Sequence, residues 1–233
     1  MKLVLWDIDG TLVRTGPHGR DAFGVAFAAV FGRETDVSEL PMAGRTDHAI
    51  TMALLEDEGV EDGPSHVQSV LGELTAALEA RRELIAAEGS ATPGAREALQ
   101  AVAREDGVTQ SLLTGNIEVN AALKLAAFGL EELVDLEIGG YGSDPHRTRS
   151  DLVGAAREKA ARLRGVHVEA ADTVLVGDTP LDVEAAHTAG ARAIAVATGP
   201  YGVSELERTG ADAVLSDLRD TGALLVAIAG RVG

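Results

Sequence analysis

Cysteine is absent from the chain, which excludes disulfides, thiolate metal sites and cysteine-nucleophile chemistry. The absence is mute about compartment. Lysine and arginine are scarce beside aspartate and glutamate, 20 against 37, giving a formal charge of −17. Nucleic acids and anionic membranes reward clustered cations, so neither is expected as the main partner. There is no run of roughly 18 apolar residues, so no transmembrane helix is expected. Met1-Lys2 passes directly into an apolar strand, leaving no space for a signal peptide's apolar stretch, and the expectation is a cytoplasmic protein. A dinucleotide fingerprint, a P-loop and a Gly-x-Ser-x-Gly elbow are also missing.

What is present begins at the second residue. Lys2-Leu3-Val4-Leu5-Trp6 reads as a buried parallel strand that runs into Asp7-Ile8-Asp9-Gly10-Thr11-Leu12. Successive strand side chains point to opposite faces, so Asp7 and Asp9 are expected to share a side at the strand's carboxyl end. That end of an open α/β sheet is where active sites form.

Residues 20–88 show helical periodicity and no convincing strand. Phe23, Phe27, Val30 and Phe31 make one apolar stripe. Asp47 is expected to cap a helix reaching about Glu58, and a helical segment from Ser65 to about Glu88 reads as one helix or two. His18, in Gly16-Pro17-His18-Gly19-Arg20, is read as a loop histidine at a hinge. After Thr92-Pro93-Gly94 helices and strands alternate, with strands expected at 110–113, near 136–138, at 173–176, 193–196 and 213–215. Alternation of this kind means βαβ units and a parallel sheet. The expected architecture is a three-layer Rossmann-like α/β core, residues 1–15 and 91–233, with an inserted all-helical cap, residues 16–90.

Three strand ends carry chemistry: Asp7-x-Asp9, Thr114-Gly115-Asn116, and Gly177-Asp178 followed by Asp182. Parallel strands bring such ends to one edge. Clustered carboxylates suit a hard cation such as Mg²⁺. Without one, a phosphate about 4 Å from each acid meets repulsion of roughly 4 kcal/mol at an effective dielectric near 20.

In order and placement these motifs resemble the haloacid dehalogenase-like superfamily, in its phosphoglycolate phosphatase-like branch, over nearly the whole length. Gly44-Arg45-Thr46-Asp47 and the stretch from Asn116 to Leu130 are also similar to that branch. The resemblance implies a Mg²⁺-dependent phosphatase acting on a small phosphorylated metabolite through an aspartyl-phosphate. Asp7 would be the nucleophile and Asp9 the general acid and base. Thr114, Gly115 and Asn116 would hold phosphoryl oxygens. Asp7, Asp178 and the Asp9 carbonyl would bind the metal, with Asp182 behind them. Arg45 would meet the substrate from the cap.

The family's lysine ahead of the Gly-Asp strand is missing; Arg149 or Arg147 must replace it, Arg149 being nearer the helix start. Lys124 is a weaker candidate for that place and is expected rather on a solvated helix face. A phosphomutase like β-phosphoglucomutase, or a non-catalytic family member, are the rival readings, and a dehalogenase would need neither Asp9 nor a metal. The chain is expected to be a monomer or a homodimer.

Overall fold

A computed structural model describes residues 1–144 and 148–230. The core is a six-stranded parallel sheet in the order β5-β4-β1-β6-β7-β8. Its strands are β1 (Lys2–Trp6), β4 (Val108–Thr114), β5 (Gly140–Tyr141), β6 (Thr173–Gly177), β7 (Arg192–Val196) and β8 (Ala213–Leu215). β1 lies at the centre, paired with β4 on one side and β6 on the other. Its residues divide by parity. Val4 and Trp6 pack beneath α5 (Ala95–Val102), α6 (Glu118–Ala126) and α10 (Thr221–Ala229), whereas Leu3 and Leu5 face α7 (Arg149–Arg164), α8 (Pro180–Thr188) and α9 (Val203–Glu207). A sheet covered on both faces gives the three-layer Rossmann-like core, and it explains why the strands read as unbroken apolar runs.

A separate two-stranded antiparallel ribbon, β2 (Val13–Arg14) with β3 (Ser90–Ala91), carries the chain out of the core and back. Between them stand α1 (His18–Phe31), α2 (Asp47–Asp57), α3 (Gly63–Ala80) and α4 (Arg82–Glu88). These helices bury their own apolar cluster, including Phe23, Phe27, Leu54, Leu55, Val70 and Leu74. The predicted stripe on α1 is therefore the seam of this helical unit.

Four local expectations are corrected. Residues 136–138 form a 3₁₀ turn, because the Asp135 side chain accepts from the Glu137 amide; the edge strand lies two residues later, where Gly140 and Tyr141 pair with Leu113 and Thr114. Thr46, not Asp47, caps α2, its side chain accepting from the Ala49 amide. His18 is the first residue of α1 and is buried, with Nε2 3.1 Å from Glu88 Oε2. Lys124 is buried, not solvated. The two-residue strands β2 and β3, and the helices α9 and α10, were not anticipated. Two residues carry no periodicity, and their pairing partners are far away in sequence.

Candidate active site

The three predicted strand ends converge on one cavity of about 450 Å³, lined by Asp7, Asp9, Thr114, Gly115, Asn116, Arg149 and Asp178 on the core side. Arg45, Met42 and Gly44 of the helical unit close it from above.

Asp7 continues β1 by one ladder bond, its amide donating to the Val176 carbonyl at 2.9 Å. The chain then turns sharply, with the amides of Thr11, Leu12 and Val13 all donating to the Ile8 carbonyl. Gly10 sits at φ +86°, and a Cβ there would overlap the Asp178 carboxylate. Glycine is required on both counts. This turn ends the strand parity: Asp7 is buried among the acids, while Asp9 stands at the cavity wall with its side chain about half exposed. The two acids share the cavity but not the same neighbours.

Asp178 follows β6 and accepts from the Thr11 hydroxyl at 3.0 Å. Asp182 lies one turn into α8, where it forms a capping box with Thr179. Oxygens of Asp7, Asp178 and Asp182 lie within 4.8 Å of one another. Asp182 is already engaged: one oxygen accepts from Thr179 and the other from Arg149 at 2.6 Å. Burial pushes the Asp7 carboxyl up to about 7, against the pull of Arg149. Burial, then the charges of Asp7 and Asp182, push Asp178 up to about 8. Two buried acids held above their ordinary range and aimed at one point are an all-oxygen donor set that fits a hard divalent cation.

Arg149 is the first residue of α7, whose start is fixed by a capping box between Thr148 and Asp151. A cation at a helix N-terminus opposes the macrodipole, so this arginine needs its acids. Its Nη2 lies 2.8 Å from Asp7 and 2.6 Å from Asp182. Burial works against its charge, but the two acids raise it above its ordinary value. Arg149 therefore contacts Asp7 and Asp182 together. Arg147 lies outside the described residues.

Thr114 ends β4, and its hydroxyl accepts from the Asn116 amide and side chain. Gly115 has no room for a side chain, because a Cβ would run into the backbone of Arg45 and Thr46. Asp47 seals this contact: its amide donates to the Gly115 carbonyl at 2.8 Å, and its carboxylate accepts from Ile117 and Asn120. Arg45 itself is exposed at the cavity mouth.

The sequence reading missed the grip on Asp9. Lys124 Nζ lies 2.8 and 2.7 Å from the two Asp9 oxygens and 2.6 Å from Asn116 Oδ1, and Asn116 Nδ2 donates to Asp9 at 2.7 Å. A faint signal existed: Asn120 and Lys124 are polar residues four apart beside the buried Ala121 and Leu125.

The family model for haloacid dehalogenase-like hydrolases matches residues 4–187. The chain belongs to that family. Solved structures with the same fold span this chain almost end to end. A hydrolase from Pseudomonas syringae is 20% identical, with a TM-score of 0.68, covering 97% of this chain and 98% of its own. A predicted phosphoglycolate phosphatase from Haemophilus somnus is 17% identical, with a TM-score of 0.68, covering 96% and 97%. A provisionally assigned β-phosphoglucomutase from Bacteroides vulgatus is 20% identical, with a TM-score of 0.70, covering 98% and 89%. No curated protein sequence matches the chain. Among the described residues, no helix of this hydrolase is long and apolar enough to cross a membrane.

Proposed function

We propose that the protein is a Mg²⁺-dependent phosphatase of small phosphomonoesters. The observation that carries this reading is the Asp7–Arg149 pair at the floor of the cavity, with Asp178 beside it and Asp9 at the wall. Asp7 and Asp178 would hold the ion with the Asp9 carbonyl, and the ion would neutralise charge between the acids and an incoming phosphate.

The chain's own residues then divide the work. An Asp7 oxygen forms a bond to phosphorus as the ester P–O bond breaks, giving an aspartyl-phosphate. Asp9 gives its proton to the departing oxygen, then takes one from the water that opens the aspartyl-phosphate and releases inorganic phosphate. Arg149 favours the ionised form of Asp7 and offers donors to the phosphoryl oxygens, as does the Thr114-Gly115-Asn116 turn. Asp182 anchors Arg149. The helical unit acts as a cap that keeps bulk water and large substrates out, with Arg45 meeting the rest of the substrate.

A screen of phosphorylated metabolites with Mg²⁺, with and without EDTA, tests the reading. Phosphate release that EDTA abolishes is expected; no release from any small phosphoester would overturn it. The likeness to a β-phosphoglucomutase supports a second reading, transfer back to a sugar. Product analysis separates the two, since isomerised hexose phosphate marks a mutase and free phosphate a phosphatase.

A further inference from the structure

Lys124 is a buried cation that the reaction above does not use. Its side chain is 7% exposed, and it reaches up from α6 to Asp9, whose side chain is 45% exposed. An ammonium has three donors. All three acceptors within reach are accounted for by the two Asp9 oxygens and Asn116 Oδ1, so no proton is left over for a phosphoryl oxygen. Burying a lysine for stability alone is a poor solution, because an apolar residue of similar volume does as well or better. Its place demands another account.

Asn120 lies one turn earlier on the same face of α6 and is fully buried. Its amide nitrogen donates to Asp47 Oδ2 at 3.2 Å, and its carbonyl accepts from Thr75 of α3 at 2.8 Å. One helix face thus grips the helical unit with Asn120 and Asp9 with Lys124.

We propose that Lys124 is a positioning residue that aims Asp9, and that docking of the helical unit on Asn120 sets this aim. The inference rests on the phosphatase reading. An acid must lie within hydrogen-bond reach of the atom it protonates, and an exposed carboxylate with free torsions does not stay there. Three donors from two fixed side chains remove that freedom.

Leaving-group dependence tests it. p-Nitrophenyl phosphate departs without needing a proton, whereas phenyl phosphate, of nearly the same shape, needs one. With Mg²⁺ present, Asp9→Asn is the reference and should lose much more kcat/KM on phenyl phosphate than on p-nitrophenyl phosphate. Lys124→Met is expected to copy that selectivity, with an extra loss of roughly tenfold or more on phenyl phosphate. Lys124→Arg should recover part of it, and Asn120→Ala should shift the ratio in the same direction by less. The ratio is taken within one preparation, so any unfolded fraction cancels. Equal losses on both esters in Lys124→Met, beside an active parent, would overturn the positioning role. An unshifted ratio in Asn120→Ala would overturn its link to docking. A parent inert on both esters would remove the phosphatase reading and this inference with it.

Discussion

At the scale of single residues, the chemistry depends on acids that the fold holds in unlike states. In the proposed mechanism an Asp7 oxygen attacks phosphorus, so Asp7→Asn should lower phosphate release by roughly 10⁴-fold or more while the protein stays folded. Arg149 spans Asp7 and Asp182 with one planar fork. Lysine keeps the charge but loses the planar guanidinium, whose Nε gives Asp182 a second bond, so Arg149→Lys is expected to cost roughly 10–100-fold in kcat/KM, read on the best substrate of the screen. The raised acids also predict a pH effect. A carboxyl raised in the folded state stabilises the metal-free protein at low pH and loses that contribution as pH rises through about 7 and about 8. In the proposed reading Mg²⁺ would take the place of those protons. The gain in melting temperature on adding Mg²⁺ should therefore be small near about pH 5.5 and larger near about pH 8. A gain independent of pH would count against Asp7 and Asp178 as the ligands.

At the scale of elements, the site is built by helix starts. Capping boxes fix the first turns of α7 and α8, which place Arg149 and Asp182. Much of this was legible in the sequence: Thr179-Pro180-Leu181-Asp182 is a cap with proline at the first helical position. The start of α7 was less clear, because the sequence pattern places it at about Asp151 and only the reciprocal Thr148–Asp151 bonds fix Arg149 as the first residue. The Lys124 role was illegible, since a lysine on an amphipathic helix is ordinarily solvated and only the partner elements show that this face is covered. The Gly115 turn makes the element-level prediction. Gly115→Ala puts a Cβ into the Arg45–Thr46 backbone, so the variant should keep its fold but lose activity by roughly tenfold or more as the helical unit is displaced. Limited proteolysis near residues 41–46 would report the displacement, and full activity would show the contact to be unimportant.

At the scale of the whole molecule, two apolar clusters flank the sheet and a third fills the helical unit. Phe128 packs against both the core cluster under α5 and α6 and the cluster of the helical unit. Only partly buried, it should cost about 1–3 kcal/mol on truncation to alanine. Because it joins two bodies, Phe128→Ala is expected to broaden the calorimetric transition toward two steps, and a single sharp transition at lower temperature would show that other contacts hold the bodies together.

The sequence by itself determined the alternation of strands and helices, the helical run after the first strand, and the placement of Asp7, Thr114 and Asp178 at the carboxyl ends of strands. These follow from apolar periodicity and from glycine and proline breaks, which are local properties of a chain. Tertiary structure alone decided the partners: that Asp9 turns away from the other acids to Lys124 and Asn116, that Arg149 bridges Asp7 and Asp182, and that Asp47 locks the helical unit onto Gly115. Each of these joins side chains from segments distant in sequence. Whether a charge is solvated or spent depends on what covers it, and a linear pattern does not contain that.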